Sequence, residues 1–91
     1  MNDKDIAKAL AKAHKTALEQ WNDPLLEDTV RPRIRAMVLV LAEKRQEHMD
    51  KTGWSYDVPA GPGERGRWSH STGPKWSRQT VWITDEEETG Q

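Results

Sequence analysis

The sequence predicts an α+β domain, mainly α: an N-terminal two-helix hairpin followed by a glycine/proline-rich loop and a short Trp-rich β-hairpin. Three observations carry that prediction. Apolar residues recur at three- and four-residue steps from Ile6 to Trp21, the period of an amphipathic helix. Most Leu, Ile and Ala precede Gly53, whereas four of the five Trp, the sole Tyr and all six Gly lie from position 53 onward. Two short segments, 67–71 around Trp68 and 75–84 with Trp, Val, Ile and Thr, then flank Thr72-Gly73-Pro74, a composition that suits paired strands and a turn.

The first helix is expected over about 3–21. Ile6, Leu10, Ala13, Ala17, Leu18 and Trp21 form its apolar face, with Lys4, Lys8, Lys12 and Lys15 on the other side. Asn2 or Asp3 supplies an N-cap, and Asn22-Asp23-Pro24 stops it because proline cannot continue the hydrogen-bond ladder. The second helix is expected over about 29–51, starting near Asp28 or Thr29, with Pro32 in its first turn and Gly53 just beyond its end. Val30, Ile34, Met37, Leu41 and Arg45 mark one face. Met37 to Leu41 is apolar on every side; a strand over Ile34–Leu41 would also explain that run, but the flanking Ala36, Ala42, Glu43 and Lys44 are good helix formers. Such a helix needs cover on two faces, one from the first helix and one from the C-terminal third or a second copy. A loop is expected over 53–66, with little regular structure from Asp57 to Gly66, then a hairpin over about 67–84 in which Trp76, Arg78, Thr80, Trp82 and Thr84 share a face.

Length and composition limit the organisation. At 91 residues, 34% hydrophobic, the chain suits one small domain over 1–84. Asp85 to Glu88 begin an acidic segment expected to be disordered over 85–91. The net charge of -1 conceals this asymmetry, since residues 54–84 carry Arg65, Arg67, Lys75 and Arg78 against Asp57 and Glu64. The longest apolar run, Ala36–Ala42, has seven residues, against about 20 for a membrane span, so no membrane association is expected. No secretory leader is expected at the N-terminus. With no cysteine there is no disulfide framework or thiolate metal site, and a reducing, cytoplasmic setting is expected.

Catalytic and metal signatures are weak. Gly61-Pro62-Gly63-Glu64-Arg65-Gly66 matches the G-x-G-x-x-G spacing formally, but a dinucleotide site requires a strand before it and a helix after it. His14, His48 and His70 have no second His or a Cys at ligand spacing, so no metal and no cofactor are expected. His14 and His48 read as surface helix residues. His70, between two serines, retains the acid–base chemistry of an imidazole, yet no nucleophile or orienting partner accompanies it. The expectation is therefore no enzyme.

Binding signals are stronger. Arg31, Arg33 and Arg35 open the second helix, where the macrodipole is already positive, so either Glu27 and Asp28 neutralise them or they receive an anion. Trp54, Tyr56, Arg65, Arg67, Trp68, His70, Lys75, Trp76, Arg78 and Trp82 interleave aromatic and basic chemistry. Those residue types dominate protein-interface hot spots, and they also stack and neutralise single-stranded nucleic acid. The competing reading makes Trp68, Trp76 and Trp82 the core that covers the second helix. In its short length, lack of Cys and Phe, and abundance of Trp, Gly and Arg, the chain resembles small accessory proteins of bacteriophages or other mobile elements of high-GC bacteria. That resemblance implies a module that binds a host protein. The expectation is a homodimeric, protein-binding chain, with a single-stranded nucleic-acid or nucleotide binder as the alternative.

Overall fold

The computed structural model describes residues 2–59, 61 and 63–84, with Lys75 by its backbone alone. Its elements are α1 (Asp3–Trp21), α2 (Arg31–Thr52), β1 (Trp54–Asp57), β2 (Arg67–Thr72), a 3-10 turn (Lys75–Ser77) and β3 (Gln79–Thr84). The strands form one antiparallel sheet in the order β1-β2-β3. The α+β, mainly α class is thus the one the sequence predicts.

α1 occupies its predicted span. The Asn2 side chain accepts a hydrogen bond from the Asp5 N–H at 2.8 Å, satisfying one of the donors a helix start leaves free. Its buried face differs from the expected one. Ala7, Ala11 and Ala17 are buried while Ala13 is exposed, and the sheet lies against a side on which the sequence suggested solvated lysines. The small Ala7 and Ala11, one turn apart, admit the sheet closely. Lys4 and Lys8 then cover the Trp68 indole, their ammonium groups 4.0 and 5.3 Å from the ring centroid. A lysine can do this because its aliphatic stem packs while its charge faces an aromatic π-cloud.

α2 begins at Arg31, two residues later than expected, because residues 28–30 form a turn and Val30 supplies no side-chain cap. It ends where predicted: Gly53 adopts φ +80 and donates its N–H to the Met49 carbonyl at 2.8 Å. Val30 and Met37, assigned to its buried face, are exposed. The half-buried face carries Ile34, Val38, Leu41, Arg45 and His48, leaving Leu39 and Val40 outside at 58% and 52% exposure. Among the described residues the C-terminal third gives α2 no second cover, since the sheet packs on α1 and meets α2 chiefly at β1.

The expected loop over 53–66 contains a strand. Trp54-Ser55-Tyr56-Asp57 alternates aromatic and polar side chains, the period-two pattern of a half-buried strand, and pairs Trp54 with His70 and Tyr56 with Trp68. The hairpin connection is also longer than Thr72-Gly73-Pro74, because Lys75–Ser77 wind into the 3-10 turn. Trp76 therefore leaves the strand and does not share a sheet face with Trp82. The core is Ala11, Tyr56 and Trp68, with Trp54 and Val58 packed against it. Trp68 donates its indole N–H to the Lys4 carbonyl at 3.0 Å, so it anchors the sheet to α1. The reading of Trp76 and Trp82 as core is incorrect, for both are exposed. Gly66, the last glycine of the G-x-G-x-x-G run, is buried where any Cβ would overlap the Tyr56 phenol, and a strand rather than a helix follows it. Residues 85–91, expected to form an acidic disordered segment, lie outside the described residues. No described helix is long and apolar enough to cross a membrane.

Candidate functional site

Strand register divides the C-terminal candidates between two sheet faces. Trp54, Tyr56, Trp68, His70, Val81 and Ile83 point toward α1, because partners Trp54–His70–Val81 and Tyr56–Trp68–Ile83 lie side by side. Tyr56 and Trp68 are buried edge to face at 5.1 Å, and Trp54 is half-buried with its ring 4.5 Å from that of His70. Tyr56 and Trp68 are thus core residues, while Trp54 and His70 stay partly open beside them. Among the described residues the His70 ring has no hydrogen-bond partner to orient it as an acid or base.

None of the residues on the opposite face is buried. Its floor is small and polar, with Ser71 Oγ and Thr80 Oγ1 bonded across β2 and β3 at 3.1 Å. Across one end runs a row of three groups. Asp57 of β1 lies 3.6 Å from the Arg67 guanidinium of β2, and that guanidinium sits 4.3 Å from the centroid of Trp82 on β3. Trp82 retains 51% exposure, and Trp76, carried on the 3-10 turn, retains 87%. Gly73, at φ +93 and crowded by the Ser77 carbonyl, permits the tight turn that presents Trp76. Arg78, between turn and strand, is also exposed. Around the corner Arg45, Arg65, Arg67, Asp57 and Glu64 border an open groove of about 610 Å³.

The arginine triplet is not a single site. Arg31 turns inward, donating to the Trp21 carbonyl at 3.2 Å and the Leu26 carbonyl at 3.1 Å, with Asp28 at 3.8 Å. It closes the C-terminal end of α1, where unsatisfied carbonyls favour a cation. The Arg33 and Arg35 side chains are exposed and make no hydrogen bond or ion pair among the described residues. Lys75 can be placed only by its backbone, at the start of the 3-10 turn.

One polar linkage escaped the sequence reading. Arg45, marked only as a face residue, donates to the Tyr56 carbonyl at 3.0 Å and contacts His14 Nδ1 at 3.0 Å, joining α2, β1 and α1. His14 is therefore not a surface residue but a half-buried acceptor, and burial, then the Arg45 charge, lower its pKa below the ordinary value. His48 likewise contacts the Asp3 carbonyl at 2.8 Å and links the helix ends. Positions 14 and 45 are 31 residues apart, so no local pattern announces the pair.

The chain matches no known protein family, no curated protein and no solved structure.

Proposed function

We propose that this chain is a small non-catalytic protein-binding module, an accessory protein of a bacteriophage or mobile element that engages a cytoplasmic host protein. The contact surface runs along the β2–β3 hairpin, with Arg67 and Trp82 toward its open end and Trp76 and Arg78 at its turn as anchors. The observation that carries this reading is the pair of tryptophans left outside the core, with arginines beside them, in a chain short of large apolar side chains. Exposed indoles contribute little to folding, whereas Trp and Arg carry a disproportionate share of interface energy. Immobilised full-length chain is compared with the W76A/W82A variant as bait for host lysate. A host protein retained by the first and lost by the second supports the reading. Equal retention by both refutes this surface.

A second reading rests on Trp82 stacked with Arg67 on an uncovered sheet face. That arrangement also suits a base or nucleotide, because stacking needs only an aromatic plane and the guanidinium adds charge. Titrating single-stranded DNA into the chain discriminates the two. A tryptophan quench at low salt that fades at physiological salt favours nucleic acid, since phosphate binding releases counterions. An unchanged signal at low salt removes this reading.

A further inference from the structure

We infer that β3 pairs with β3 of a second copy, antiparallel about a twofold axis at Trp82, making one six-stranded sheet from two chains. The backbone sets the geometry. Ser71 donates its N–H to the Gly53 carbonyl at 2.9 Å, so the polar groups of Ser71 face β1. Along a strand these groups alternate sides, which turns those of His70 and Trp68 toward β3 and makes His70–Val81 and Trp68–Ile83 the hydrogen-bonded pairs. Thr80, Trp82 and Thr84 then direct their N–H and C=O groups away from β2. Among the described residues no strand receives them.

This edge lacks the devices that ordinarily blunt one. Gln79-Thr80-Val81-Trp82-Ile83-Thr84 contains no charge, no proline and no glycine, and the whole strand is exposed. Such a segment recruits another strand unless it is covered. A second copy fits it more completely than an arbitrary extended peptide. With the twofold at Trp82, Thr80 faces Thr84 of the second copy, Trp82 faces its equivalent, and Thr84 faces Thr80 of the second copy. Antiparallel registers that pair outward groups with outward groups differ by two residues, and only this one uses all three from both chains. The same operation sets Val81 beside Ile83 of the second copy on the inner face, where both are otherwise exposed. Antiparallel pairing also sets Thr84, after which the sequence turns acidic, toward the Arg78 end of the other chain, whereas parallel pairing would set Thr84 beside Thr84.

The inference does not depend on the binding surface above, because edge pairing uses backbone groups and leaves the Trp82 and Arg67 side chains on the open face. It also differs from a dimer through the exposed Leu39 and Val40 of α2. Light scattering of the full chain across a dilution series is expected to give twice the chain mass, with amide exchange at Thr80, Trp82 and Thr84 slowing as concentration rises. Thr80→Pro removes one outward N–H and the hydroxyl bonded to Ser71 but no β2–β3 backbone bond, so it should lose the dimer mass while circular dichroism stays native. Because the chain has no cysteine, Trp82→Cys and Leu39→Cys report the interface directly, and only Trp82→Cys should yield a covalent dimer on oxidation. These single-cysteine chains and the exchange data decide the matter even if Thr80→Pro fails to fold. A monomer with fast exchange at all three amides at every concentration overturns the inference. So does a dimer cross-linked through Leu39→Cys alone, or an open-ended polymer.

Discussion

Replacing Gly53 by alanine tests how α2 is joined to the sheet. Gly53 lies at φ +80, and a Cβ there would overlap the Ser71 carbonyl oxygen and approach the His70 ring at 3.3 Å. The left-handed backbone costs a non-glycine residue roughly 1–2 kcal/mol. Overlap with backbone adds a cost of the order of an overpacked site, about 1–3 kcal/mol, because Ser71 is held by its N–H bond to the Gly53 carbonyl and cannot retreat freely. The sum, about 2–5 kcal/mol, is a large fraction of the roughly 5–14 kcal/mol expected for a domain of 91 residues. Gly63 provides the internal comparison: its φ is +83, yet nothing lies within 4 Å of its Cβ position. Gly63→Ala should therefore show the backbone cost alone, about 1–2 kcal/mol. Urea unfolding followed at a helix-sensitive wavelength measures both, and in thermal melts each kcal/mol appears as about 4–8 °C. Equal losses for the two variants would refute the claim that the α2–β1 joint is crowded by Ser71.

Other consequences follow from the same contacts. Ala11→Leu places a large side chain between α1 and the buried Tyr56–Trp68 pair and should cost about 1–3 kcal/mol in the same urea assay, whereas Ala13→Leu, on the exposed side, should be near neutral. Trp68→Ala removes both the core indole and its bond to the Lys4 carbonyl, with an expected loss of about 3–5 kcal/mol, while Trp76→Ala should stay within about 0.5 kcal/mol of the parent because its ring is exposed. For His14, the folded state lowers the pKa, so the unfolded chain takes up a proton first as pH falls. Its contribution to stability is complete above the unfolded value near 6.5 and declines as pH drops from there through the folded value. Unfolding midpoints for His14→Gln should vary less with pH across that window than those of the parent, and an unchanged profile would exclude His14 as a source of the pH dependence.

Local rules reached a large part of this fold. The span of α1, the end of α2 at Gly53 and the extended character of 67–72 and 79–84 follow from capping, periodicity and turn chemistry, all of which act over a few residues. The failures share a different cause. Trp54–Asp57 is too short to declare itself beside three glycines and two prolines, and it becomes a strand only because Arg67–His70 lie opposite. The lysine side of α1 reads as solvated until an indole is placed beneath Lys4 and Lys8. Arg31 reads as one member of a cationic triplet until the end of α1 supplies the Trp21 carbonyl. In each case the deciding partner is distant in sequence, and propensity cannot supply it.

The tryptophans show why composition alone could not tell core from surface. As residue types Trp54, Trp68, Trp76 and Trp82 are interchangeable, but each backbone position assigns a different task. Trp68 sits on the central strand over Ala11 and is sealed there; Trp54, on the edge strand β1, is half-covered by His70. Trp82 occupies the opposite sheet face because its position is one residue out of phase with Ile83, whose partner is Trp68. Trp76 belongs to no strand, since the 3-10 turn removes it from the alternation. A one-residue slip of β3 would turn Trp82 inward beside Trp68 and present Ile83 on the open face. Register, pinned by the pairing of all six β3 residues from Gln79 to Thr84, therefore decides which indole is sealed in the core and which is left exposed on the open face.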